Sequence, residues 1–286
     1  MAGVLAGKRR VEMKFGIMQG RLLPRPYPKL KAFPYTMWRE EFTLTKNLGV
    51  FNIEWVFEAD RYRENPIWTS EGREEICYLV KETGVSVPSL CADFFLKHPL
   101  HRDNDGKSLE VFKDLIQKVS EVGISLILLP VLEEAELKND TEREQLICAV
   151  NDCVELLNEH RVRIGIETVL PAAEYLSLIR EFKNDVVGAY YDTGNSACSG
   201  YDMKKDLEIL YPVLFGIHIK DRPLNGPSVY IGSGDANFKE GIPFLKSQSF
   251  QGQIVFETFY EKDPVGTMHR NLEVIKGFIN VKRGDA

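Results

Sequence analysis

Cysteine is scarce: the chain has five in 286 residues, an odd number, and no two of Cys77, Cys91, Cys148, Cys153 and Cys198 make a Cys-x-x-Cys pair. That argues against a disulfide framework, a zinc knuckle and a dithiol redox centre, and it fits a reducing, cytoplasmic setting. Long hydrophobic runs are missing too. The longest, Ile124 to Leu132, is interrupted by Pro130 and falls far short of the ~20 apolar residues a membrane helix needs. Cations are in deficit, 36 Lys and Arg against 42 Asp and Glu, for a net charge of −6. A nucleic-acid surface needs the opposite balance to displace counterions from phosphates, so neither nucleic acid nor membrane is an expected partner. Residues 1–13 place a short apolar stretch before Lys8, Arg9 and Arg10, the reverse of a secretory signal. They are expected to be a disordered start, with 14–286 forming one domain.

What is present is a soluble-protein mixture, 44% hydrophobic and 27% charged, arranged in a repeating order. Short aliphatic and β-branched runs alternate with amphipathic stretches, and the runs are continuously apolar, as strands covered on both faces should be. Eight such runs are predicted: Phe15–Met18, Phe51–Trp55, Ser86–Cys91, Ser125–Leu129, Arg163–Glu167, Gly188–Asp192, Phe215–Lys220 and Gln253–Glu257. The predicted helices are Thr36–Leu48, Glu71–Glu82, Lys107–Val122, Thr141–His160, Ala172–Phe182, Met203–Leu210, Phe238–Ser247 and Val265–Ile279. Eight βα units point to a single (β/α)₈ TIM barrel of the α/β class. A doubly wound open sheet would carry a Gly-rich turn after its first strand, whereas here that turn reads Met18-Gln19-Gly20-Arg21.

Barrel side chains at the C-terminal ends of strands converge on one mouth. Four consecutive ends are polar in apolar surroundings: Glu167, Asp192, His218 and Glu257. Taken singly, a strand-end Glu is more often a salt-bridging residue and a lone His more often a satisfied core residue. Four in successive units are a different matter. Three buried carboxylates in one place repel each other and lose hydration, a cost of several kcal/mol per charge that a cation removes. The donor set suits one divalent ion of the Mn²⁺, Mg²⁺, Co²⁺ or Zn²⁺ type.

The segments Gly165–Thr168, Tyr191-Asp192-Thr193-Gly194-Asn195, His218-Ile219-Lys220-Asp221 and Phe256-Glu257-Thr258 resemble the four ligand strands of the xylose isomerase-like TIM barrels, ketose 3-epimerases among them. The resemblance spans nearly the whole chain. It implies a metal-dependent isomerase or epimerase of a small sugar or sugar phosphate, with Glu167 and Glu257 as the proton-transfer pair working through an enediolate. It also leaves room for a homo-oligomer. Many of those epimerases, and the related AP endonucleases, have Asp-x-x-His where Asn195 stands here. The endonucleases need further histidines for a multi-zinc cluster, and this chain has only His98, His101, His160 and His269 beyond His218. The alternatives to an epimerase are therefore an inosose-dehydratase-like lyase, then, more weakly, a metal-dependent nuclease or a sugar-binding barrel without turnover.

Around the mouth, Gln19, Arg21, Glu54, His98, Asn195, Lys220 and Arg222 are the expected substrate-binding groups. Arg and Lys suit an anionic substituent. The equal alternative for Lys220 and Arg222 is pairing with Asp221 or a ligand carboxylate, and for Trp55 a purely structural place. The Gly232-Ser233-Gly234-Asp235 turn reads either as a flexible segment beside the mouth or as ordinary turn chemistry.

Overall fold

A computed structural model describes residues 13–24, 33–259 and 262–280; except for Met13, the expected N-terminal disordered segment lies outside the described residues. The strands are β1 (Phe15–Met18), β2 (Asn52–Val56), β3 (Ser86–Cys91), β4 (Leu126–Pro130), β5 (Arg163–Glu167), β6 (Val187–Asp192), β7 (Leu214–Ile219) and β8 (Gln253–Phe256). They form a closed parallel barrel in sequence order, β1 pairing with both β2 and β8. The expected (β/α)₈ barrel is the fold.

The helices are α1 (Trp38–Asn47), α2 (Ser70–Thr83), α3 (Phe94–Lys97), α4 (Lys107–Glu121), α5 (Asp140–Asn151), α6 (Val154–His160), α7 (Ala172–Glu181), α8 (Thr193–Cys198), α9 (Met203–Leu210), α10 (Phe238–Ser247) and α11 (Pro264–Asn280). Local chemistry sets their ends. The Thr69 hydroxyl accepts from the Gly72 amide at the start of α2, and Gly84, at φ 75°, closes that helix in the left-handed region that costs glycine least. The segment predicted as one helix over 141–160 is two, interrupted at Asp152–Cys153; at the break the Cys153 amide donates to the Val150 carbonyl of α5 at 3.0 Å, its own carbonyl accepts the Leu157 amide of α6 at 2.8 Å, and Cys153 is fully buried. The short helices α3 and α8 were not expected, because each is little more than one turn and has no periodicity to read.

β4 and β6 are buried at every position, as covered parallel strands require. Side chains alternate between the barrel interior and the helix layer. In β2, Trp55 faces outward into an aromatic cluster, 5.4 Å from Trp38 and 5.3 Å from Phe33, with its indole N–H donated to Asn65. Its neighbour Glu54 therefore points inward. No helix among the described residues is long and apolar enough to cross a membrane.

Candidate metal centre

Glu167 ends β5, Asp192 ends β6, His218 is next to last in β7, and Glu257 follows β8, its amide prolonging the β7–β8 ladder through the Ile219 carbonyl at 3.1 Å. One ligand atom from each of the four lies within 4.8 Å of all the others, and all four residues are buried. His218 Nδ1 sits 3.2 Å from Glu257 Oε2 and 3.9 Å from oxygens of both Glu167 and Asp192, yet has no well-directed hydrogen-bond partner. His218 Nε2 faces the other way, 2.5 Å from Glu54 Oε1.

Backbone and side-chain ties fix these groups. Asp192 Oδ1 caps α8 by accepting the Asn195 amide at 2.7 Å, leaving Oδ2 toward His218. The Thr193 hydroxyl accepts the Lys220 amide at 2.9 Å and donates to the Lys220 carbonyl at 2.6 Å, locking the ends of β6 and β7 together. Asn195 donates Nδ2 to Glu167 Oε1 at 3.3 Å and accepts from Arg222 at 3.0 Å through Oδ1.

Charge dominates the site. Glu54, Glu167, Asp192 and Glu257 are four buried carboxylates, and the buried cations beside them are Lys220 and Arg21. Lys220 Nζ lies 3.2 Å from Glu257 and 3.5 Å from Asp192, while Arg21 Nη2 lies 3.2 Å from Glu257. Even a protonated His218 leaves negative charge in excess. Burial, then the charges of Glu257 and Glu167, outweigh Lys220 and raise Asp192 to about 6. For His218 burial pulls downward, but the Glu54 charge and the closeness of the Glu167 and Glu257 carboxylates carry it well above its ordinary value. Excess buried anion and an imidazole nitrogen without a partner fit a divalent cation held by Glu167, Asp192, His218 and Glu257.

The other expected groups divide. Asn195 and Lys220 line the cavity that opens on the cluster, along with Met18, Cys91, Asp93 and Leu132. Arg21 reaches the cluster through Glu257, and Arg222 through Asn195. Gln19 is buried at the end of β1, accepting the Val56 amide, with its Nε2 lacking a hydrogen-bond partner. Glu54 lies beneath the cluster at 0% exposure, its other oxygen accepting from the Tyr190 and Ser89 hydroxyls. His98 is exposed in a separate surface depression with Lys97, Arg102 and Asp103, its ring on Phe94. The Gly232–Asp235 turn is tied down: Asp221 accepts the amides of Gly232, Gly234 and Ala236 at 2.8–3.1 Å.

Sequence reasoning passed over two residues. Tyr190 reaches from β6 to Glu54 and packs edge-on to the His218 ring at 4.8 Å. Its signal was the glycine two places before a ligand in both β5 and β7: a Cβ on Gly165 would meet the Tyr190 ring at 3.0 Å, and one on Gly216 at 2.4 Å. Glu41 of α1 accepts the Gly20 and Leu22 amides on either side of Arg21. Burial raises its carboxyl to about 8 despite those two donors.

Fold and site define a (β/α)₈ barrel with a buried three-carboxylate, one-imidazole cluster at the C-terminal mouth. The family model for the xylose isomerase-like TIM barrel matches residues 42–278, and the chain belongs to that family. It is 26% identical over 261 residues to an L-ribulose-5-phosphate 3-epimerase, UlaE, of Escherichia coli O1:K1, covering 86% of this chain and 92% of that one. Among solved structures it is similar in fold to an L-ribulose 3-epimerase, with a TM-score of 0.76, 13% identity and coverage of 94% and 95%. It is likewise similar to the IOLI protein with a bound zinc atom, with a TM-score of 0.73, 16% identity and coverage of 94% and 100%.

Proposed function

We propose that this protein is a metal-dependent epimerase of a small ketose or ketose phosphate, moving one proton beside the carbonyl through an enediolate. The observation that carries the reading is the placement of Glu167 and Glu257. They come from strands three apart around the barrel and project into one buried cluster on either side of Asp192 and His218. A divalent cation held there by the four residues would supply Lewis-acid polarisation of a substrate carbonyl and its neighbouring hydroxyl, acidifying the C–H between them. One carboxylate takes that proton, and the other returns a proton from the opposite face of the planar enediolate, inverting the centre.

The rest of the site keeps those carboxylates ready. Lys220 and Arg21 hold Glu257, and Asn195 holds Glu167, so both present fixed oxygens. Gln19, Asn195, Lys220 and Arg222 are the candidates to meet substrate hydroxyls or an anionic substituent, and the similarity to a sugar-phosphate 3-epimerase supports a phosphorylated substrate. His98 would meet only a substrate extending beyond the cluster, and Glu54 none. All five cysteines are free, in keeping with a cytoplasmic enzyme.

The test is incubation of Mn²⁺-loaded protein with ketopentoses, ketohexoses and their phosphates in D₂O, followed by NMR. Inversion at C3 with deuterium at that carbon is expected. Loss of water in place of inversion would make the protein a dehydratase, and no exchange with any ketose would overturn the reading.

A further inference from the structure

We propose that Glu54 is a positioning residue that, together with Tyr190, decides which nitrogen of His218 faces the cation site. This rests on the metal reading above and adds residues that never touch substrate. A neutral imidazole donates at one nitrogen and accepts at the other, so a partner fixed on one nitrogen dictates what the second can offer. Glu54 Oε1 is an acceptor 2.5 Å from Nε2, which keeps a proton on that nitrogen and leaves Nδ1, facing Glu167, Asp192 and Glu257, as the nitrogen that would give up its proton to a cation.

Glu54 itself is held from two further strands. Its Oε2 accepts from the Tyr190 hydroxyl of β6 at 2.6 Å and the Ser89 hydroxyl of β3 at 2.9 Å. Tyr190 also packs against the imidazole face, centroids 4.8 Å apart at 66°, which restricts rotation of the ring. Gly165 and Gly216 leave the space in which the Tyr190 ring lies. A carboxylate at 0% exposure is costly to bury unless its bonds and charge are used. An apolar residue at position 54 would serve packing alone at lower cost. What a carboxylate adds there is a charge-assisted grip on His218, because the Tyr190 and Ser89 hydroxyls need no anion to be satisfied.

The experiment is Mn²⁺ titration calorimetry of the metal-free protein and its variants, without sugar. Glu54→Gln keeps volume and should weaken Mn²⁺ binding roughly 10–100-fold while the circular dichroism spectrum is retained. Tyr190→Phe keeps the ring, removes one donor, and should weaken it several-fold; it carries the test if Glu54→Gln fails to fold. Wild-type affinity in the folded variants, with Mn²⁺ binding intact in the parent, overturns the proposal alone. Absence of binding in the parent overturns the metal reading instead. In that case the His218 Nε2 proton still reports on Glu54: a slowly exchanging, far-downfield ring resonance in the parent, shifted or lost in Glu54→Gln, is expected, and its absence in the parent overturns the positioning role.

Discussion

The ring of Tyr190 occupies the space into which a side chain on Gly216 would grow, its nearest carbon 2.4 Å from where that Cβ would stand. A glycine of β7 and a tyrosine of β6 are thus one packing unit, directly under the cluster of Glu167, Asp192, His218 and Glu257. Gly216→Ala is expected to lower stability by about 1–3 kcal/mol, because the close-packed interior must shift a buried aromatic ring to admit one methyl. Gly165→Ala, whose Cβ would stand 3.0 Å from the same ring, should cost less. Urea denaturation reads both, and an unchanged midpoint for Gly216→Ala would contradict the packing described.

Glu257→Gln retains volume and removes the basic oxygen. If Glu257 transfers a proton, the variant should lose at least ~10²-fold in epimerisation and in deuterium wash-in at C3, with its unfolding transition preserved. Turnover at the parent rate would take Glu257 out of the chemistry.

Lys220 lies 3.2 Å from Glu257 and 3.5 Å from Asp192 at 8% exposure. Removing one member of a buried charge cluster leaves the others uncompensated, at roughly 3–5 kcal/mol. Lys220→Met should therefore destabilise the metal-free protein by that order. Because its cluster then carries more uncompensated charge, saturating Mn²⁺ should raise its melting temperature by more than it raises the parent's. Equal metal-induced shifts in the two proteins would show that Lys220 does not share the carboxylates' charge balance with the cation.

His101 is buried at 3% exposure with neither ring nitrogen hydrogen-bonded, and burial, then the charge of Arg102, lowers it to about 4. Its unfolded counterpart takes up a proton near 6.5. The unfolded chain thus binds more protons below that pH, and stability is full above 6.5 and lost as the pH falls toward 4, by up to roughly 3 kcal/mol. His101→Leu should flatten this part of the stability–pH curve; an unaltered slope between pH 6.5 and 4 would refute the assignment.

Much of this could be read from the residues in order. Continuous apolar runs separated by amphipathic stretches specify parallel strands and covering helices, because that period is imposed by which faces are buried. Four polar strand ends in successive units, Glu167, Asp192, His218 and Glu257, announced a common site, since a barrel brings every such end to one mouth. Tertiary structure alone decided what depends on the far side of the barrel. Glu54 read as a sugar-binding group because it lies near the end of a strand; alternation turns it inward, but only closure of β1 onto β8 brings it against His218 of β7 and Tyr190 of β6. His98 and Asn195 both follow strands in polar segments. The first packs on Phe94 and faces the surface, while the second is held at the cluster by Arg222 and Glu167. Local sequence carries periodicity and chemical type. Partners separated by 164 residues, as Glu54 and His218 are, become neighbours only when the barrel closes.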